Sequence, residues 1–222
     1  MFLDIPDVLT SAEIAQLRAI AARSVFIDGK MGSPDASPVK NNVRVGDQEA
    51  NRQSAQLVGD ALFRHEDFRT FAFPKAMMPP ILTRYDTGMY YGIHVDSALM
   101  WSGQRTLRSD LSCTVFIGDA SEYEGGALRL KLGSSDVRVK GKAGSAIVYP
   151  STTVHEVEPV TSGARLIAMT FIESRIANSE NRELLYELME IGAAAGEKMD
   201  IETYTRLQRV QQNLLRAWGS PD

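Results

Sequence analysis

Cysteine is nearly missing from this chain of 222 residues, Cys113 being the only one. A lone thiol excludes an intrachain disulfide framework, and with it the small stapled folds of secreted proteins. Histidine is almost as scarce, with three in all, at positions 65, 94 and 155. Metal chemistry built on imidazole has to draw on that short set. No run reaches the 18 apolar residues of a membrane-spanning helix, and the segment Met1-Phe2-Leu3-Asp4-Ile5-Pro6-Asp7 has neither a basic start nor a long apolar stretch behind it. An excess of positive charge is missing too, because 24 Lys and Arg against 28 Asp and Glu leave a net charge of -4. Nucleic-acid surfaces normally carry a basic stripe that neutralises phosphates, so that partner class is disfavoured, although a local basic groove is not excluded. The expectation is a soluble protein of a reducing cytoplasm, without a membrane or nucleic-acid partner.

What is present reads as one large domain with a helical extension. Thr10-Ser11-Ala12-Glu13 has the form of a helix N-cap with an acid in the first turn, and Ile14, Leu17, Ile20 and Ala21 then make one apolar stripe to about Arg23. A second helix is expected from Gln48 to Arg64, followed by Phe68, Phe71 and Phe73 as core aromatics. Residues 28–42 are rich in Gly, Pro, Asn and small polar side chains and read as a loop that could rim a site. From Met77 the pattern turns to short strands, expected near 80–86, 90–95, 110–117, 126–132, 136–140, 145–149, 154–160 and 165–173, with glycine-bearing turns between them. Eight such strands suggest an α+β fold with a two-sheet jelly roll at its centre. After Glu173, Leu184, Leu185, Leu188, Met189 and Ile191 mark one amphipathic helix, while Tyr204, Leu207, Val210, Leu214 and Leu215 mark another. The expected division is 1–175 for the main domain, with its jelly-roll core at about 77–175, and 176–222 for a helical hairpin. Two readings of the hairpin stay open, a buttress packed on the sheet and a surface for homo-oligomers or another partner.

The chemistry centres on Tyr85-Asp86-Thr87-Gly88-Met89-Tyr90-Tyr91-Gly92-Ile93-His94-Val95-Asp96. Alternate residues of a strand share a face, so His94 and Asp96 project together and can close on one ion. An imidazole and a carboxylate joined by a second imidazole form the facial triad of non-haem Fe(II) oxygenases, which leaves open positions for substrate. His155 is the expected third ligand, since His65 lies in a helical-looking stretch. A His-x-Asp pair alone proves little, as chance supplies one in roughly one such sequence in five. Arg165 adds weight: it lies ten residues after His155 and shares a strand face with Ile167, Met169 and Phe171. A planar guanidinium there suits bidentate capture of a carboxylate, although a surface arginine at a strand end is the plainer alternative.

Together Tyr85-x-x-Gly88-Met89-x-Tyr91-Gly92-x-His94-x-Asp96, Asp110-Leu111-Ser112-x-Thr114-x-Phe116, Tyr123-x-Gly125-Gly126 and Tyr149-Pro150-Ser151-x-x-x-His155-x-Val157-x-Pro159-Val160-Thr161-x-Gly163-x-Arg165 resemble the PKHD-type hydroxylases. These are bacterial members of the prolyl 4-hydroxylase-like Fe(II)/2-oxoglutarate dioxygenases. The resemblance is dense over about residues 80–175. It implies a double-stranded β-helix, Fe(2+) at His94, Asp96 and His155, 2-oxoglutarate as co-substrate on Arg165, O2 as oxidant and L-ascorbate as a reductive helper. Tyr85, which shares a face with Thr83, and Thr114 are further candidates for contact with 2-oxoglutarate. Phe116 stands where some relatives carry tyrosine, so no hydrogen bond is assigned to it. The implied reaction hydroxylates a small-molecule or peptide substrate that the sequence does not identify. Two rival functions share the fold, a non-catalytic iron and 2-oxoglutarate sensor and an oxidative demethylase of nucleic acid. Substrate choice points to the loop at 97–109, where Met100, Trp101 and Arg105 combine apolar area with positive charge directly after Asp96. The plainer reading of that loop makes Trp101 an internal staple and pairs its arginines with surface acids.

Overall fold

The computed structural model describes residues 1–31, 39–102 and 105–220, without the side chains of Ser102 and Arg105. In chain order, β1 (Leu3–Ile5) precedes α1 (Ser11–Arg23), and β2 (Phe26–Asp28), β3 (Lys40–Asn41) and β4 (Val43–Val45) lead to α2 (Gln48–Arg64), α3 (Glu66–Ala72) and β5 (Pro74–Met77). The middle is strand after strand: β6 (Ile81–Asp86), β7 (Tyr90–His94), β8 (Leu99–Ser102), β9 (Arg105–Arg108), β10 (Leu111–Phe116), β11 (Tyr123–Gly125), β12 (Leu128–Leu132), β13 (Ser135–Val139), β14 (Ala146–Pro150), β15 (His155–Val157) and β16 (Val160–Ser174). Two helices follow, α4 (Ser179–Ala195) and α5 (Ile201–Trp218). No helix among the described residues is long and apolar enough to cross a membrane.

The larger sheet runs β1-β14-β10-β16-β6-β4-β2, with β5 and β11 also paired to β16, and the smaller runs β13-β12-β15-β7-β3. Alternation along the strands makes two cores from this arrangement. On β10, Leu111, Cys113 and Val115 join the cluster under α1, α2 and α3, together with Leu17, Val58, Leu62 and Phe68. Phe116 of the same strand turns the other way, into a cluster between the sheets with Tyr85, Leu128, Val157 and Ile167. The fold is therefore the double-stranded β-helix jelly roll expected, with helices on the outside of one sheet.

Local chemistry sets the element ends. Thr10 and Glu13 form a reciprocal capping box at α1, and Asp47, Asn178 and Asp200 cap α2, α4 and α5 by accepting from backbone N–H groups. At the end of β11, Gly125 has φ +68°, and a Cβ there would lie 2.2 Å from the Pro159 carbonyl oxygen. Only glycine lets that bulge against β16 form.

Several boundaries differ from expectation. The segment 28–42 is bordered by β2 and β3 rather than being loop throughout, and its residues 32–38 lie outside the described residues. Residues 97–109 are not a loop but largely a β-hairpin of β8 and β9. The last expected strand begins at Val160, because its first residues pair with β11 before Ala164–Met169 pair with β6. In the C-terminal pair, α4 is a buttress that leans on α3 by setting Tyr186 edge-on against Phe71 at 5.1 Å. None of the residues of α5 is buried, and it rests on α4, where Gln211 donates to the Leu188 carbonyl at 3.1 Å.

Candidate metal centre and co-substrate pocket

β7 and β15 are antiparallel neighbours in the smaller sheet, and their register sets His94 directly opposite His155. The two rings lie 4.2 Å apart between centroids, and Asp96, just past the end of β7, reaches both. His94 Nε2 is 3.7 Å from Asp96 Oδ1 and His155 Nε2 is 3.6 Å from Asp96 Oδ2. One donor atom from each residue lies within 4.8 Å of the other two.

Both rings are oriented from behind. His94 Nδ1 lies 2.7 Å from the Gly92 carbonyl oxygen and His155 Nδ1 lies 2.9 Å from that of Thr153. A carbonyl can only accept, so each Nδ1 carries a proton, and Nε2 is the ring atom that faces Asp96 in both. At Gly92 the chain just before β3 comes close, since a Cβ there would lie 2.9 Å from that of Val39. Burial first, and then the neighbouring His155, push the pKa of His94 down to about 4. The ring is therefore neutral at neutral pH, the state a metal ligand needs. Tyr91 stacks on His94 at 3.6 Å and Tyr149 meets His155 edge-on at 5.1 Å, which walls the cluster with aromatic surface. Burial, reinforced by the Asp96 charge, pushes the Tyr91 phenol up to about 12.

Arg165 is 1% exposed, and its Nε, Nη1 and Nη2 have no hydrogen-bond partner among the described residues. Its register partner is Tyr85, and its guanidinium carbon lies 5.1 Å from the Tyr85 ring and 5.8 Å from the Phe116 ring. Aromatic faces offset part of the cost of burying a cation. They leave its five N–H donors unmet, and a buried charge without a counterion costs several kcal/mol. The Tyr123 hydroxyl is buried as well and faces Arg165, without a hydrogen bond of good geometry among the described residues. Burial raises the Tyr123 pKa, against an opposing pull from Arg165. Orphaned donors lining one interior face are what a bound dicarboxylate would satisfy. Two imidazoles and a carboxylate are the donor set that suits Fe(II).

Of the other expected site residues, Tyr85 and Thr114 are buried at 2% and 6% exposed. Burial raises the Tyr85 pKa, and nearby Arg165 opposes that rise. Register places Thr114 beside Met169, so it shares the inward side of the larger sheet with Arg165. Met100 pairs across the hairpin with buried Leu107, whereas Trp101 is 76% exposed. That exposure runs against the staple reading of Trp101. Arg108 does pair with an acid, gripping Asp110 with two nitrogens at 2.7 and 2.8 Å. The side chain of Arg105 lies outside the described residues. His65 caps the junction of α2 and α3 and does not join the cluster.

Sequence reasoning did not find the hydroxyls behind Asp96. Ser112 donates to Asp96 Oδ2 at 2.6 Å and is in turn 2.8 Å from Ser151, which is 2.8 Å from Ser109. Ser112 in the mostly apolar strand β10 was visible in the sequence, but the register that joins these three was not.

A jelly roll that brings two histidines and a carboxylate together, with a buried arginine on the inward side of its larger sheet, is the architecture of an iron and 2-oxoglutarate oxygenase. Comparison with known proteins gives the same class, since the sequence pattern of the 2OG-Fe(II) oxygenase superfamily matches residues 80–173. Solved structures agree in fold. A Pseudomonas putida prolyl-4-hydroxylase superposes with a TM-score of 0.55 at 18% identity, over 78% of this chain and 92% of that one. A Trichoplax adhaerens prolyl hydroxylase, in complex with a hypoxia inducible factor peptide fragment, gives 0.57 at 16% identity, over 83% and 86%. Among full-length relatives, a PKHD-type hydroxylase of Sphingopyxis alaskensis is 49% identical over 92% of this chain and 94% of its own length. Another from Thermosynechococcus vestitus is 41% identical over 99% of both. The chain belongs to the PKHD-type hydroxylases, and it is an Fe(II)- and 2-oxoglutarate-dependent dioxygenase.

Proposed function

We propose that this enzyme hydroxylates a small molecule or peptide, with His94, Asp96 and His155 as the iron ligands and Arg165 as the anchor of 2-oxoglutarate. The observation that carries the reading is the convergence of two Nε2 atoms and one carboxylate, both rings being tied back through Nδ1. Bound there, Fe(II) and 2-oxoglutarate supply the oxidative decarboxylation that yields succinate and carbon dioxide and sends one atom of O2 into a C–H bond of the substrate.

The residues of the chain have separate tasks in that reaction. Arg165 grips the far carboxylate of 2-oxoglutarate with its fork, and Tyr85 and Thr114 line the same cavity and donate to its oxygens. The rings of Tyr91 and Tyr149 exclude water from the histidines, keeping imidazole lone pairs for metal rather than for solvent. The hairpin of β8 and β9 leaves the site directly after Asp96 and presents Leu99 and Trp101, at 61% and 76% exposed, to an incoming molecule. Met100 stands between them in the sequence, and Arg105 opens the returning strand β9, so both belong to this substrate element. L-ascorbate fits as a reductant that returns the iron to Fe(II) after turnover without substrate. A reducing cytoplasm suits both this metal and the single buried thiol of Cys113.

The deciding experiment incubates cell extract with enzyme, Fe(II) and 2-oxoglutarate under 18-oxygen gas and follows products by mass spectrometry. A species that gains one labelled oxygen, with matching succinate, is the expected result. Metal and 2-oxoglutarate binding with no succinate under any substrate pool would instead make the protein a sensor.

A further inference from the structure

We propose that Ser112, Ser151 and Ser109 form a one-way hydrogen-bond relay that holds the Asp96 carboxylate in its metal-binding orientation and fastens it to the base of the β8–β9 hairpin. The inference rests on the assignment of Asp96 as an iron ligand and concerns what fixes that ligand.

Three serines from two separate stretches, 109–112 and the end of β14, meet in the interior, at 3%, 2% and 7% exposed for Ser112, Ser151 and Ser109. Ser112 lies on β10, Ser151 directly after β14 and Ser109 directly after β9, while the register pairs Ser112 with Tyr149 rather than with Ser151. A hydroxyl buried without a partner costs free energy, whereas small apolar residues at these positions would pack without that cost. Among the described residues the hydroxyls are met by one another and by Asp96. The Ser112 Oγ to Asp96 Oδ2 distance is 2.6 Å, in the range of a charge-assisted bond, and the two Oγ–Oγ distances are both 2.8 Å.

The proton count fixes the direction. An ionised carboxylate can only accept, so the one proton of Ser112 goes to Asp96. Ser112 can then only accept from Ser151, and Ser151 only from Ser109. The anion at one end therefore orients all three hydroxyls, and each bond polarises the next. At the far end the Ser109 N–H donates to the Ala98 carbonyl at 2.8 Å, and Ala98 is two residues beyond Asp96. The Ser151 N–H donates to the Asp110 carbonyl at 3.1 Å, locking the same corner. A closed circuit results, running from Asp96 to Ala98 along the backbone, across to Ser109, and back to Asp96 through the serines. The hairpin that faces substrate is thus clamped at both feet to the one carboxylate among the three ligands.

The test is metal affinity, read without turnover. Metal-free protein is titrated with Co(II) and followed by its visible d–d absorption, with the unfolding midpoint of the metal-free form as a control for folding. Ser112→Ala should weaken Co(II) binding about 10- to 100-fold, the usual effect of removing a group that orients a ligand. Ser151→Ala should weaken it several-fold, because Ser151 acts through Ser112. The double variant should bind within about twofold of Ser112→Ala alone, since a relay cut at its first link gains nothing from a second cut. Effects that multiply in the double variant, or wild-type affinity in Ser151→Ala, would overturn the relay. His155→Ala separates the two levels: if it kept wild-type Co(II) affinity, the ligand assignment itself would fall, whatever the serine variants did.

Discussion

At Arg165 the fold keeps a guanidinium 1% exposed with three nitrogens lacking partners, between the rings of Tyr85 and Phe116. Lysine has the same charge but neither the fork nor the planar face that lies against those rings. Arg165→Lys should therefore raise the 2-oxoglutarate requirement ten- to a hundredfold, on the order of the 1.5 to 3 kcal/mol of a charged hydrogen bond. Succinate formation against 2-oxoglutarate concentration measures it, and an unchanged requirement would move the carboxylate anchor to another residue. The legibility of these residues in the sequence had specific causes. His94 and Asp96 were readable because two-residue alternation is a property of one strand. The choice of His155 followed from the scarcity of histidine, and the face of Arg165 from its apolar neighbours Ile167, Met169 and Phe171. The buried hydroxyl of Tyr123 and the serines behind Asp96 were hidden, since they meet only through the pairing of strands far apart in the chain.

Among the elements, long periodic segments were legible and short ones were not. α1 and α2 span the residues expected of them, and Thr10 caps α1 as its sequence suggested, while Asp47 emerges as the cap of α2 only in the structure. β1 to β5 and β11 have two to four residues each, too few for a period to show, and all but β2, which pairs with β4, form on the edge of a longer strand. The β8–β9 pair was obscured by its composition, with small polar residues around 102–104 and two arginines on β9. Its exposed Trp101 makes a separable test. Truncating so exposed an indole should change stability by no more than about 0.5 kcal/mol. Trp101→Ala should accordingly keep iron and 2-oxoglutarate binding and the slow succinate formation seen without substrate, yet lose most hydroxylation of the substrate once that is identified. Hydroxylation at the normal rate would place substrate choice elsewhere, with the segment from Asp28 to Asn42 as the next candidate.

For the molecule as a whole, the buried site couples stability to acid. The folded pKa of His94 is depressed to about 4, while an exposed histidine titrates near 6.5. At pH 7 the ring is neutral in both states and contributes nothing to the pH dependence. As pH falls from 6.5 toward 4 the unfolded chain takes up a proton that the folded chain refuses, so stability drops. Metal-free protein should lose stability on the order of 3 kcal/mol across that window, and His94→Ala should lose distinctly less. Denaturant unfolding at stepped pH reads the difference, and parallel curves for the two proteins would assign the acid sensitivity to other groups. The central claim concerns the iron itself. Its most direct test is anaerobic titration of the metal-free protein with Fe(II) in the presence of 2-oxoglutarate, following the visible charge-transfer absorption of the chelated co-substrate. Wild type and His65→Ala should develop that absorption alike, whereas His94→Ala, Asp96→Ala and His155→Ala should each lose it while staying folded. The opposite pattern, with absorption lost in His65→Ala and retained in His155→Ala, would contradict the account.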